Sequence, residues 1–135
     1  MNKIYVASSL LNKERAAHIM SIFRNYGAEI THDWTTHGQV FSEEELSKYA
    51  KDEYHGVLES NILFFVQPGR SGAHFELGAG TALGKTIIIL SDTNQEIEKK
   101  TFYYLDCVNR FIDEEKAINF ALKKMGINRE YNKQA

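Results

Sequence analysis

One cysteine, one proline and one tryptophan are all that the 135 residues contain of those types. A single cysteine, Cys107, excludes an internal disulfide, and no histidine stands beside it as for a thiol nucleophile. It is expected as a small buried or half-buried hydrophobe. Proline scarcity and the lack of low-complexity stretches leave no linker, so one domain is expected over residues 1–127, with a polar tail over 128–135. Excess positive charge is missing too: the net charge is −2, which gives no basic stripe for nucleic acid. No apolar run approaches the roughly 18 residues of a membrane span, and the first residues are expected to enter a strand without a leader, which makes cytoplasm the expected compartment. The five histidines, His18, His32, His37, His55 and His74, show no ligand spacing such as HExxH, so no metal or other cofactor is expected.

What is present centres on residues 61–90, NILFFVQPGRSGAHFELGAGTALGKTIIIL. Residues 61–66 form a short unbroken apolar run, as a strand does when a parallel sheet covers both its faces. Pro68 has no N–H for a ladder, and Pro-Gly is turn chemistry, so the strand ends there. A helix carrying Phe75, Leu77, Ala79, Ala82 and Leu83 follows, capped by Gly84, and 86–90 is a second buried strand. The whole is one right-handed βαβ unit. This reading puts Glu76 in the first turn of the helix, just past the carboxyl end of a central strand, where open α/β sheets bind ligands. A carboxylate there is stabilised as an anion by the helix N-terminus and suits a nucleophile better than a proton donor. The plainer role is a helix-start glutamate satisfying backbone N–H groups. Gly69, Gly72, Gly78 and Gly80 favour the first role, since they let a ligand or another backbone come close.

Two phosphate motifs fail in this stretch. Gly80 to Thr86 resembles the end of a P-loop, but Ala79 stands where its first glycine belongs and a strand follows instead of a helix. Gly78-Ala-Gly80 begins a dinucleotide fingerprint that Leu83 breaks, and no strand precedes it. Elsewhere, residues 3–7 predict a strand, with Tyr5 directed to the core or to the crevice, and Ser8-Ser9 ends it as a helix cap or an anion contact. A helix is expected over about 12–26, a strand over 28–34, and His32-Asp33-Trp34-Thr35 at that strand's carboxyl end. Trp34 could stack on a base or anchor its loop. Ser42 and Glu45 form a capping box before a helix with Leu46, Tyr49, Ala50, Val57 and Leu58 on one stripe. Asp52 lies beside that stripe, paired with Lys48 or projecting over the crevice. Residues 92–100 are a polar excursion, Phe102 to Leu105 an aromatic cluster, 108–112 an edge strand, and Asp113 opens a last helix closed by Gly126. His74 diverges from Glu76 and is expected on the surface or in a loop.

Tyr5 in IYVASS, Asp52 in KDEYHGVLESN and, above all, Ser71 to Lys85 in SGAHFELGAGTALGK resemble the nucleoside 2-deoxyribosyltransferase family, which includes deoxynucleoside 5'-monophosphate N-glycosidases. The resemblance implies a single-domain, flavodoxin-like α/β three-layer sandwich with a mainly parallel five-stranded sheet of order 2-1-3-4-5. It implies cleavage or transfer at the N-glycosidic bond of a small-molecule nucleoside or nucleotide, in a homodimer or higher homo-oligomer; cofactor, nucleic acid and membrane are not expected, on the charge, hydropathy and histidine spacing above. Glu76 matches the nucleophile that forms a covalent glycosyl ester, Asp52 the carboxylate that orients or protonates the departing base, and Tyr5 the tyrosine that holds Glu76. Expected substrate contacts are Ser8, Ser9, Asp33, Trp34, Gly69, Arg70, Ser71 and Gly72. Arg70 departs from the family, whose members have an acidic residue or a serine six places before the nucleophile. A guanidinium suits phosphate, so Arg70 with Ser8 and Ser9 is expected to hold a 5'-phosphate or another anionic substituent, with water resolving the ester; pairing with Glu76 is the inert alternative. NAD cleavage by a TIR-like domain and a non-catalytic nucleotide sensor remain competing readings, and a receiver domain is disfavoured because no acidic pair follows strand one.

Overall fold

The computed structural model describes residues 1–134. Five strands form one sheet: β1 (Lys3–Ala7), β2 (Glu29–Ile30), β3 (Ile62–Val66), β4 (Thr86–Leu90) and β5 (Val108–Phe111). Every neighbouring pair is parallel and the order is β2-β1-β3-β4-β5, as the sequence predicts. The helices are α1 (Lys13–Asn25), α2 (Glu43–Glu59), α3 (Ser71–Ala82) and α4 (Glu114–Lys124). α2 and α3 cover one face of the sheet. α1 and α4 cover the other, joined by the ion pair of Arg15 with Glu114 at 3.2 Å. β3 is buried along its whole length, which explains why it reads as a continuous apolar run without alternation.

Several expected boundaries move. β2 is two residues long; past it Thr31 Oγ1 donates to the Gly56 carbonyl and Trp34 Nε1 to the Val6 carbonyl. The ladder runs on only through the Thr31 N–H, which donates to the Ile4 carbonyl; side-chain bonds to α2 and β1 hold the rest of the expected strand, and residues 34–36 coil into a single 3-10 turn. Cys107, expected at least half-buried, is exposed. The tail, expected loose, is docked: Asn119 donates to the Tyr131 carbonyl and accepts from its N–H, and Tyr131 packs edge-on against Tyr26. Among the described residues no helix is long and apolar enough to cross a membrane.

Candidate active site

Because all five strands run the same way, the ends of β1 and β3 and the turn after β2 lie along one rim of the sheet. α2 overhangs that rim beside α3. Between them lies a cavity of about 570 Å³, a size that suits a nucleotide-sized ligand. Ser8, Ser9, Arg70, Gly72 and Glu76 line one side, and Trp34, His37, Tyr49 and Glu53 line the other.

Glu76 sits in the second turn of α3, not the first, so the helix N-terminus does not govern its charge. Its side chain is 6% exposed yet reaches the cavity wall. Burial is the largest influence and pushes its carboxyl up to about 8; the Tyr5 hydroxyl acts against the rise, and the Glu53 carboxyl, within hydrogen-bonding reach, adds to it. The expectation of a plain anion is therefore corrected: desolvation outweighs the helix dipole at this depth. Tyr5 resolves its own alternatives, being fully buried with its hydroxyl donating to Glu76 Oε2 at 2.5 Å. Burial, reinforced by the Glu76 charge, holds the phenol protonated far above its ordinary range.

Gly56 of α2 makes that hydrogen bond possible. A Cβ there would lie 2.9 Å from the Tyr5 ring and 2.8 Å from His32 Cβ, so only glycine lets the helix rest on both. α2 also supplies the second carboxyl, and it is not Asp52. Asp52 lies outside the cavity wall, paired with Lys48 one turn earlier at 2.8 Å, and the Lys48 ammonium holds its carboxyl below the usual range. Its neighbour Glu53 faces the cavity. Successive residues on a helix point about 100° apart, which turns one acid to solvent and the next inward. The signal lay in the pattern: Leu46, Tyr49, Glu53 and Val57 share one stripe at helical spacing.

Toward its mouth the cavity carries a cation and unpaired N–H groups. Arg70 lines it, is exposed, and forms no ion pair with Glu76 or any other acid among the described residues. No side chain caps α3, and the amides of Ser71, Gly72 and Ala73 meet no protein acceptor; such groups attract negative charge. Ser9 Oγ accepts from the Leu11 N–H, which leaves its own hydrogen to donate. Ser8 has spent its hydrogen on the Val66 carbonyl at 2.7 Å and serves the chain, not a ligand. Gly69 and Ser71 are absent from the wall. Gly69 is glycine because a Cβ would meet the Phe65 ring at 2.2 Å.

Asp33 is likewise off the wall. It caps the 34–36 turn, accepting from the Thr35 amide and hydroxyl and from Arg24 at 3.1 Å. Partial burial acts to raise its carboxyl, but those hydrogen bonds prevail and hold it low. Trp34 is buried in the wall as an anchor, its indole N–H tied to β1. Besides Glu53, His37 goes unassigned in the sequence reading, which places His74 on the surface or in a loop, whereas His74 is a half-buried residue of α3. His37, at the end of the same turn, stacks on Tyr49 with ring centroids 3.9 Å apart, lies 3.5 Å from Glu53 Oε2, and meets His32 through their Nε2 atoms at 2.8 Å. Their spacing of five residues matches neither a helical face nor a metal motif, and the contact exists only because the turn folds back. His74, on α3, bridges the Arg70 carbonyl and the Tyr103 hydroxyl.

No protein-family model and no curated protein matches this sequence. Among solved structures, the chain is similar to the CMP N-glycosidase BcmB of Clostridium botulinum, with 19% sequence identity and a TM-score of 0.54. The likeness covers 91% of this chain and 98% of that one. At that identity it establishes a shared fold, the five-stranded parallel α/β sandwich.

Proposed function

We propose that this protein cleaves the N-glycosidic bond of a nucleoside 5'-monophosphate, with Glu76 as nucleophile and Glu53, in place of Asp52, as proton donor to the departing base. One observation carries the reading. Two carboxyls from different helices face each other at the inner end of a nucleotide-sized cavity, and a buried tyrosine fixes one of them. Paired carboxyls of unlike protonation are what retaining glycosyl cleavage uses. The fold shared with a protein described as a CMP N-glycosidase supports the same reaction class.

A carboxyl that keeps its proton near neutral pH cannot attack, so the proton must leave Glu76 when substrate enters. Glu53 is the acceptor within reach. Tyr5 continues to donate to Glu76 Oε2 and favours the charge there. A Glu76 oxygen then bonds to the anomeric carbon as the bond from that carbon to the base nitrogen breaks. The electron pair leaves with the base, which takes the proton from Glu53. In the second half, water attacks the anomeric carbon, the ester bond breaks back to Glu76, and the water's proton passes to Glu53. Arg70, the Ser9 hydroxyl and the free amides of α3 hold the 5'-phosphate. An acceptor base in place of water would make the same chemistry a transfer.

The test is chromatographic detection of free base from a panel of nucleosides and 5'-monophosphates, including CMP and dCMP, with and without an acceptor base. Wild type is expected to release base and Glu76→Ala to release none. Ligand-induced thermal stabilisation without base release from any member of the panel would replace this reading with that of a nucleotide sensor.

A further inference from the structure

The histidine pair behind Glu53 has no part in the chemistry so far. Both rings belong to the segment after β2, and their Nε2 atoms are 2.8 Å apart. Two facing imidazole nitrogens at that distance share one hydrogen, so at least one ring is neutral in this arrangement. Nδ1 of His37 lies 3.5 Å from Glu53 Oε2. The ring is held in plane by its stack on Tyr49 and by its backbone N–H, which donates to the Trp34 carbonyl. One proton arrangement offers Glu53 a donor: His32 donates Nε2–H to His37 Nε2, which leaves the hydrogen on His37 Nδ1, 3.5 Å from Glu53 Oε2.

We infer that His37 is a positioning residue for Glu53: it orients the carboxyl through Nδ1–H, and His32 fixes the tautomer that makes this possible. The inference rests on the glycosidase reading. The arrangement follows the general pattern of an acid–base group oriented by a second group and tuned by a third. Protonation of both rings breaks the pair, because two hydrogens would then face each other between the Nε2 atoms. A charged imidazole would also pin Glu53 as a carboxylate, the state in which it has no proton to give. The groups that face His37 act in opposite senses. Burial and His32, with Lys48, hold the ring toward its neutral form, while Glu53 and Asp52 favour its charge, and the neutral form prevails.

The test measures base release from pH 5 to 9 for wild type, His37→Phe, His37→Gln and His32→Gln, with thermal melts to confirm folding. His37→Phe keeps a flat ring to stack on Tyr49 and loses the donor. Its expected signature is a fall of about 100-fold in kcat, with KM changed less than about threefold, and an acid limb that has lost its imidazole component. His37→Gln, which still offers an N–H, is expected to recover part of kcat. In parallel, imidazole titrations by NMR on the ligand-free protein should show the His37 pKa falling in Glu53→Gln and rising in His32→Gln. An acid limb and kcat unchanged in His37→Phe, or a His37 titration indifferent to Glu53→Gln, would overturn the inference. Coupled titrations in a wild type that releases no base would overturn the glycosidase reading alone and leave the pairing supported.

Discussion

At the scale of single residues, Glu76 concentrates the tension between stability and chemistry. Its folded pKa of about 8 stands above the ordinary value of 4.5, so the folded protein keeps a proton that the unfolded chain releases. The stabilising contribution of that proton is complete below about pH 4.5 and is lost as pH rises through 8, by at most about 1.4 kcal/mol per pH unit. Glu76→Gln cannot release a proton, so its urea-unfolding free energy is expected to fall less between pH 5 and 8.5 than that of wild type. Equal slopes in the two proteins would contradict the buried, protonated carboxyl. Arg70 makes the opposite kind of prediction, since it stabilises nothing in the empty protein. Arg70→Ala is expected to melt within about 1 °C of wild type and to lose the preference for a 5'-monophosphate over the corresponding nucleoside by roughly tenfold or more. Unchanged preference in competing-substrate assays would remove the phosphate from this end of the cavity.

At the scale of elements, the site depends on how closely α2 lies on β1. Gly56 sets that distance, with no room for a methyl group against the Tyr5 ring. Gly56→Ala is therefore expected to cost about 1–3 kcal/mol in urea unfolding by overpacking, and to weaken base release further than the stability loss explains, because Tyr5 and Glu53 are displaced together. Full activity in a folded Gly56→Ala protein would show that the helix can retreat without disturbing the carboxyls. Sequence pattern revealed this layer unevenly. The apolar runs of β3 and β4 and the capped helices were legible because burial and backbone geometry leave local marks. The inward turn of Glu53 was half legible, since it shares a stripe with Leu46 and Val57, but an acid on an apolar stripe is ordinarily read as the stripe's edge. The depth of Glu76 and the meeting of His32 with His37 were not legible at all. The first arises from packing between segments far apart in the chain, and the second from a turn that follows neither the helical nor the strand period.

At the scale of the whole molecule, one surface is poorly suited to water. Tyr54 of α2 and Phe75 of α3 lie near each other, with ring centroids 6.4 Å apart. Phe75 is 63% exposed and Tyr54 44%. Apolar residues gathered on one face mark an association surface, and a second copy of the chain is the partner that the family resemblance implies. Sedimentation at micromolar concentration is expected to give a dimer or larger assembly for wild type and a smaller species for Phe75→Glu. A wild type that sediments as a monomer at every concentration would leave that face without a role.

The walls of the cavity are not equally free to change. Tyr5, the carbonyl that receives the Trp34 indole, and the paired serines all belong to β1 or the turn beyond it, so altering them disturbs the centre of the sheet. The opposite wall, from Gly38 through Val40 to Leu46 and Ala50, carries no strand and bears none of that burden. On the proposed reading, substrate preference can therefore drift there while Glu76, Glu53 and Tyr5 stay fixed, and descendants of this chain that accept a different base should differ first along that outer lip.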